Sequence, residues 1–103
     1  MKQKLSVNVR FAEPDDLDFC VKSDYRYLSE DVIRRKIDEK AVILAEIDGR
    51  PVGYLRVEYL WLKVPYLGVI GVEEEYRRRG VGTAMIKFLE QHLLGRGFKA
   101  LYS

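Results

Sequence analysis

The residues best suited to chemistry in this sequence form one short run of cations, small residues and a hydroxyl. They are Arg77, Arg78, Arg79, Gly80, Val81, Gly82 and Thr83. The apolar spacing that follows predicts a helix from Val81, so backbone N–H groups without helical partners lie at the positive end of a helix dipole. Glycines let an oxygen atom approach those groups, and guanidinium groups add charge and directional donors. The run therefore predicts a turn that binds phosphate.

A second interpretation fits the same turn, and local chemistry does not decide between the two. A P-loop requires the spacing GxxxxGK[ST] and a dinucleotide-binding turn requires GxGxxG, and the run has neither. The alternative is a solvated arginine run at a strand-to-helix corner, with no ligand. The identity of any bound anion also stays open at this point.

Other residues with reactive or polar groups have simpler interpretations. Tyr25 and Tyr27 lie in a predicted connection between helices, where substrate contacts are common, but half-buried surface tyrosines explain them as well. Glu58 is a candidate catalytic carboxylate, although a cross-strand ion pair is the simpler explanation. Cys20 is the only cysteine, which excludes an internal disulfide, and we interpret it as a small buried hydrophobe.

Composition limits the classes of function that these residues can serve. The chain has 103 residues, 48% of them hydrophobic, and this size normally forms one domain, here residues 1–103. A net charge of +2 is too small for a whole-chain attraction to nucleic acid or to an anionic membrane. No signal peptide is recognisable, and no apolar run approaches the ~20 residues of a membrane-spanning helix. We expect a cytoplasmic protein with neither nucleic acid nor a membrane as a partner.

Periodicity and capping residues indicate the elements that position the turn. Residues 5–12 alternate apolar and polar side chains, which predicts a strand with one buried face. Residues 13–23 predict a helix with Pro14 in its first turn, and residues 29–40 predict another with Ser29 as its N-cap.

A hairpin and a further strand follow. Asp48 and Gly49 are residues that tolerate the positive φ of a tight turn between strands. In the second strand of the hairpin, Arg56 and Glu58 are expected to face away from the main core. One face of that strand carries Leu55, Val57, Tyr59 and Trp61.

Glycines mark both the next strand and the end of the helix that follows the arginines. Gly68 and Gly71 lie inside a predicted strand, where glycine often marks a bulge or a close approach of ligand to backbone. From Val81 the apolar residues recur at i, i+3, i+4 and i+7, and Gly95 is expected to end the helix.

The order of these elements, taken with their motifs, resembles the GNAT superfamily of N-acetyltransferases. Residues 77–82 match the family signature [Q/R]-x-x-G-x-[G/A]. The supporting stretches are "VRFAEPDDL" at the first strand and helix, "EIDGRPVGYLRV" at the second and third strands, and "IGVEEEYRRRGVG" at the fourth strand and pyrophosphate loop. The resemblance extends over the whole chain and implies an α/β (α+β) fold, with a mixed, mostly antiparallel sheet flanked by helices.

The resemblance also implies roles for the residues of the turn. Arg77 to Thr83 would hold the pyrophosphate of acetyl-CoA, the cosubstrate, through backbone N–H groups, and no metal is implied. Ile70, Gly71 and Val72 would form a bulged strand that pairs with the pantetheine arm and orients the thioester. A primary amine of a small molecule, peptide or protein would attack the thioester directly, while a strand N–H stabilises the negative charge on its oxygen.

The end of the sequence departs from the family pattern. Family members generally continue for another helix and two strands after the fifth strand, so the tyrosine that commonly protonates the departing thiolate has no counterpart here. The catalytic residues therefore stay unassigned, and Tyr102 is expected to pack in the core rather than to replace that tyrosine. An uncovered sheet edge would need a second copy of the chain, so we expect a homodimer.

Three functions are compatible with these observations. The first is an N-acetyltransferase that uses acetyl-CoA, and the second is a CoA-binding module that lacks turnover. The third is a nucleic-acid binder that uses the arginine run, which is disfavoured because residues 73–75 are glutamates that would repel a phosphate backbone. The acceptor cannot be identified from these residues.

Overall fold

The computed structural model of the chain describes residues 6–26, 28–61, 63–99 and 101–102. Within those ranges four strands form one antiparallel sheet in sequence order: β1 Val7–Phe11, β2 Val42–Ile47, β3 Arg50–Leu60 and β4 Val64–Val72. The helices are α1 Leu17–Ser23, α2 Glu30–Asp38 and α3 Val81–Gly95. Short 3-10 turns, Pro14–Asp16 and Glu74–Tyr76, precede α1 and α3. The expected class, a mostly antiparallel sheet flanked by helices, is confirmed.

Helix α3 covers one face of the sheet. Its buried side chains recur every four residues, at Val81, Met85, Leu89 and Leu93. This spacing places them on one side of the helix, against the inward side chains of all four strands. The approach is close, since a Cβ atom at Gly53 of β3 would lie 2.9 Å from Met85 Cε. This apolar layer fixes the start of α3 beside the end of β4.

Helices α1 and α2 cover the opposite face and enclose a second core. Its apolar members are Ala12, Cys20, Ile33, Ile37, Val42, Leu44, Tyr54 and Val69. Asp24 and Arg56 lie in the same layer, each 3% exposed. Arg56 does face away from the α3 core, as the alternation of β3 predicts, but the two helices bury it instead of leaving it in solvent.

The pairing of β3 with β4 is interrupted by one extra residue in β4. Arg56 lies opposite Val69, whereas Val57 lies opposite Leu67, so Gly68 is the additional residue of a β-bulge. A Cβ atom at Gly68 would lie 3.2 Å from the carbonyl oxygen of Arg56. Close packing of the two backbones therefore favours glycine at the bulge.

Two local signals in the sequence predict structure correctly. Asp48 and Gly49 have φ angles of 52° and 77° and join β2 to β3 in a tight turn. Ser29 precedes α2 and its side chain accepts a hydrogen bond from the Val32 N–H at 3.4 Å.

The end of α3 differs from the prediction. Gly95 is still helical, and the helix is closed by Gly97, which has a φ of 89°. The Gly97 N–H bonds to the Leu94 carbonyl oxygen at 3.0 Å, and the Phe98 N–H bonds to that of Leu93 at 2.9 Å. This pair of bonds is the Schellman motif, which requires the left-handed residue one position beyond the C-cap.

The last described residues begin a parallel strand next to β4. Tyr102 forms a parallel bridge with Tyr66. Its N–H bonds to the Pro65 carbonyl oxygen at 3.0 Å, and its own carbonyl oxygen accepts from the Leu67 N–H at 2.7 Å. The side chain of Tyr102 is 55% exposed, so the expectation that it packs in the core is wrong.

Candidate functional site

The loop between β4 and α3 is a tight turn with two residues in the left-handed region. Gly80 is the N-cap of α3 and has a φ of 84°, and Arg78 has a φ of 63°. A Cβ atom at Gly80 would meet no atom within 4 Å. Glycine is therefore favoured at position 80 by its left-handed backbone conformation and not by crowding.

The first turn of α3 presents backbone donors that have no helical acceptor. The Ala84 N–H bonds to the Gly80 carbonyl oxygen at 2.9 Å and closes the first ring of the helix. The N–H groups of Val81, Gly82 and Thr83 precede that ring. Gly80 supplies no side-chain cap, and the first turn contains no acidic residue. The start of α3 is therefore a place of positive potential suited to an anion.

The three arginines of the loop differ in their contacts. Arg77 donates from Nε to the Val72 carbonyl oxygen at 2.9 Å, which ties the loop to the end of β4. Arg78 and Arg79 are exposed, and they take part in none of the ion pairs among the described residues. These two guanidinium groups are available to a ligand.

The edge of β4 next to this loop is open. The Glu73 N–H bonds to a β3 carbonyl oxygen at 2.8 Å. Since backbone groups alternate in direction along an antiparallel strand, Gly71 also directs its groups to β3, while Ile70 and Val72 direct theirs to the outer edge. The segment that ends at Tyr102 pairs with β4 only further back along the strand. Because Arg77 Nε already donates to the Val72 carbonyl oxygen, the backbone groups of Ile70 and the Val72 N–H are the ones that can pair with an extended ligand.

Gly82 brings the helix start and the strand edge into contact. A Cβ atom at Gly82 would lie 3.8 Å from Ile70 Cδ1 and 3.9 Å from Val72 Cγ2. The two stretches singled out in the sequence, 70–72 and 77–83, are thus neighbours in space. A single ligand with an anionic group joined to an extended chain can therefore reach both stretches.

The bulge in β4 does not lie where the resemblance implies. It is expected at residues 70–72, but the extra residue is Gly68, and Gly71 lies in regular register opposite Tyr54. The close approach of the β3 backbone at Gly68 accounts for this position.

A cavity of about 250 Å³ opens beside β4 on the face covered by α1 and α2. Its lining includes Phe19, Ser23, Tyr25, Tyr54, Gly71 and Glu73. A Cβ atom at Gly71 would meet no atom within 4 Å, so the glycine leaves space that another side chain would occupy. Gly71 also belongs to the stretch of β4 that forms the open edge, so the cavity reaches that edge.

A buried carboxylate holds two walls of this cavity. Asp24 Oδ2 accepts from the Tyr54 hydroxyl at 2.8 Å and from Arg56 Nε at 2.6 Å, and Oδ1 accepts from the Arg26 N–H at 3.0 Å. Burial alone would raise the pKa of Asp24, but the hydrogen bonds from Arg56 and Tyr54 outweigh it and hold the pKa below its ordinary value. The sequence gives no signal for this cluster, because Asp24 and Arg56 are 32 positions apart.

The other candidates from the sequence have structural partners or lie elsewhere. Tyr25 lines the cavity and is 54% exposed, whereas Tyr27 lies outside the described residues. Glu58 is ion-paired, but the expected cross-strand partner is wrong, because its partners are Lys36 of α2, at 2.6 Å, and Arg56 of its own strand.

Cys20 is fully buried, as expected, and burial raises the pKa of its thiol to about 12. Within the described ranges there is no group of three or more His, Cys, Asp or Glu side chains arranged to hold a metal ion. No helix in those ranges is long and apolar enough to cross a lipid bilayer.

Comparison with known proteins identifies the family of the chain. The model of the acetyltransferase (GNAT) family matches residues 10–103. The chain therefore belongs to the acetyltransferase (GNAT) family. An N-alpha-acetyltransferase of Sulfurisphaera tokodaii is 30% identical over 103 residues, covering 84% of this chain and 62% of that protein. An uncharacterized N-acetyltransferase of Methanocaldococcus jannaschii is 31% identical over 68 residues, covering 60% of this chain and 30% of that protein. The chain thus spans less than two thirds of the length of these curated relatives.

Solved structures show the same fold. A GNAT family acetyltransferase from Bacillus cereus superposes with a TM-score of 0.68 at 26% identity, over 82% of this chain and 62% of that chain. N-acetylglutamate synthase from Neisseria gonorrhoeae, complexed with coenzyme A and N-acetyl-glutamate, gives a TM-score of 0.82 at 15% identity, over 96% of this chain and 25% of that chain. The second likeness concerns the fold alone.

Proposed function

We propose that this chain is an N-acetyltransferase that transfers the acetyl group of acetyl-CoA to a primary amine, and that residues 1–103 form one domain of it. The observation that carries the proposal is the contact between the start of α3 and the open edge of β4 at Gly82. An anion site and an extended-chain site in contact suit a ligand with a pyrophosphate and a long pantetheine arm. Membership of the family supports the same conclusion.

The proposed cosubstrate site consists of two stretches with different tasks. The loop and first turn of α3 would bind the pyrophosphate through backbone N–H groups and exposed guanidinium groups, using Arg77, Arg78, Arg79, Gly80, Val81, Gly82 and Thr83. The stretch Ile70, Gly71 and Val72 would pair with the pantetheine arm along the outer edge of β4.

The proposed reaction is a direct acyl transfer. The amine nitrogen forms a bond with the carbonyl carbon of the thioester, and the bond between that carbon and sulfur breaks. One proton leaves the nitrogen for solvent, and the departing thiolate takes up one proton from solvent. The outward N–H groups of Ile70 and Val72 are the donors suited to the negative charge on the carbonyl oxygen. The general acid and base stay unassigned.

Two measurements test the proposal. If CoA binds only the folded chain, it stabilises the fold by about 2.7 kcal/mol at one hundred times Kd, so the melting temperature should rise with CoA concentration. Thiol release from acetyl-CoA in the presence of simple primary amines should follow the same concentration range. An unchanged melting temperature at millimolar CoA would refute the cosubstrate assignment.

The second candidate function is a CoA-binding module without turnover. It is supported by the same anion site and strand edge, to which no general acid or base is assigned. A rise in melting temperature with CoA, combined with no thiol release for any amine, would select it. For either function we propose a cytoplasmic location, since the single cysteine is buried and fits a reducing compartment.

A further inference from the structure

The cavity beside β4 has the size of one side group, not of a large ligand. Its volume of about 250 Å³ lies just below the ~300 Å³ at which drug-sized pockets begin. One aromatic ring or one branched aliphatic group fits such a space, whereas a sugar chain does not. The cavity therefore limits the size of the group that can enter it.

Three residues of the cavity lining are aromatic, namely Phe19, Tyr25 and Tyr54. The buried carboxylate of Asp24 binds the Tyr54 hydroxyl and the backbone N–H that follows Tyr25, so the Tyr54 ring is fixed before any ligand arrives. Aromatic residues in the lining favour a flat apolar group, and a fixed ring loses little side-chain freedom when the group binds.

The cavity lining carries one carboxylate and one guanidinium group. Glu73 lines the cavity, and its carboxylate forms an ion pair with Arg50 at 2.9 Å. Arg77 also lines the cavity, and its Nε donates to the Val72 carbonyl oxygen. The Glu73 carboxylate can accept a hydrogen bond from a neutral primary amine, which is the form that attacks the thioester, and Glu73 directly follows the last residue of β4.

We propose that this cavity binds the body of the acceptor, and that it selects a primary amine joined by a short linker to one aromatic or branched apolar group. Gly71 determines the size of that group, because its missing side chain leaves the space between the aromatic rings and the strand edge. This inference rests on the proposed acetyl transfer at the same edge.

The test compares two amines that differ only by a ring. 2-Phenylethylamine and ethylamine share the same aminoethyl group, and kcat/KM is measured for each by thiol release at saturating acetyl-CoA. We expect a preference of at least tenfold for 2-phenylethylamine in the native chain. Gly71→Val fills the cavity, and we expect it to reduce that preference at least tenfold. The ratio is the readout, because both amines share one acetyl-CoA site.

A second variant and a binding measurement keep the inference testable without turnover. Phe19→Ala removes an aromatic side chain from the cavity lining and should also lower the preference. Saturation-transfer NMR of 2-phenylethylamine should show contact with the native chain and a loss of at least half the signal in Gly71→Val. If CoA raises the melting temperature but the native chain treats both amines alike, the cosubstrate assignment stands and this inference fails. Binding of 2-phenylethylamine that ignores Gly71→Val overturns it as well.

Discussion

At the scale of single residues, four glycines of the β4–α3 region have different surroundings. Gly68 is crowded by the β3 backbone, and Gly80 adopts a left-handed φ in open space. Gly71 borders an empty cavity, and a Cβ atom added at Gly82 would make ordinary contact with two side chains of β4. The sequence identifies all four as unusual, but it cannot separate these surroundings, because they depend on tertiary structure.

Gly82→Asp should abolish CoA binding while the fold survives. The new carboxylate would lie at the contact between the helix start and the strand edge, where it repels a pyrophosphate. A negative charge in the first turn favours the helix dipole, so the melting temperature of the free protein should change little. Thermal shift with CoA measures both effects.

Gly82→Ala is the matched control, since its Cβ meets side chains at 3.8 and 3.9 Å without crowding and it carries no charge. It should keep CoA binding within about tenfold. Gly80 is a poorer choice, because any other residue there pays about 1–3 kcal/mol for its left-handed φ. Retained CoA affinity in Gly82→Asp would show that the turn is only structural.

Asp24→Asn should destabilise the protein in a pH-dependent way. Removing one partner of a buried ion pair costs on the order of 3 kcal/mol at pH 7, because Arg56 loses its carboxylate in the second core. The pKa of Asp24 is lower in the folded chain than in the unfolded one. The stabilisation of the fold by the Asp24 charge is therefore complete above the pKa of Asp24 in the unfolded chain, about 4. It is lost as pH falls below that value.

Urea unfolding at pH 7 and at pH 3 measures this difference. The gap in unfolding free energy between native chain and variant should narrow at the lower pH. Asp18→Asn on the exposed side of α1 is the control and should stay within about 0.5 kcal/mol of the native chain at both pH values. A gap of constant size would contradict the role of the Asp24 charge.

At the scale of elements, local chemistry predicts where most helices and strands begin. The Asp48–Gly49 turn, the Ser29 cap and the apolar period of α3 each depend on residues within one or two turns of chain. The end of α3 is predicted less well, because both Gly95 and Gly97 are compatible with a helix stop. Packing of Phe98 beside Leu93 under the sheet favours the later one.

Gly97→Ala and Gly95→Ala should therefore change stability in opposite directions. Alanine at position 97 must adopt a φ of 89°, which costs about 1 kcal/mol or more. Alanine at position 95 lies in the last turn of the helix, where its Cβ meets no atom within 4 Å, and should stabilise by up to about 1 kcal/mol. Melting curves of the two variants check this, and equal effects would contradict the Schellman assignment.

At the scale of the whole molecule, two separate cores pack on the two faces of a four-stranded sheet. The sequence predicts the sheet and its helices, and the burial of Arg56 becomes visible only when α1 and α2 are placed over β3. Distant partners of this kind are set by tertiary packing and have no local signature. For the same reason the aromatic cavity could not be predicted from the positions of its residues in the chain.

We expect the chain to pair with a second copy in solution, which stays a prediction. Leu94 is 65% exposed beside a cavity of about 560 Å³ whose lining includes Leu93, Phe98 and Leu101. The rest of the lining is polar or charged, and an exposed apolar group with a polar rim is common at interaction sites. Light scattering at micromolar concentration should give about twice the 12.0 kDa of one chain.

Leu94→Lys should shift that mass toward one chain, whereas Val21→Lys on α1, at a residue 37% exposed, should not. A mass of one chain for the native protein would exclude the homodimer under these conditions.

The bulge at Gly68 determines which face of the sheet each later side chain of β4 points to. Leu67, Ile70 and Val72 all pack on the α3 face, although an uninterrupted strand would place residues 67 and 70 on opposite faces. Without the extra residue, the downstream half of β4 would exchange its two faces, and Gly71 would turn toward α3 while bulky side chains filled the aromatic cavity. A residue that touches neither ligand thus decides which side of the sheet is open, so a one-residue deletion there should be more harmful to function than most substitutions within the site.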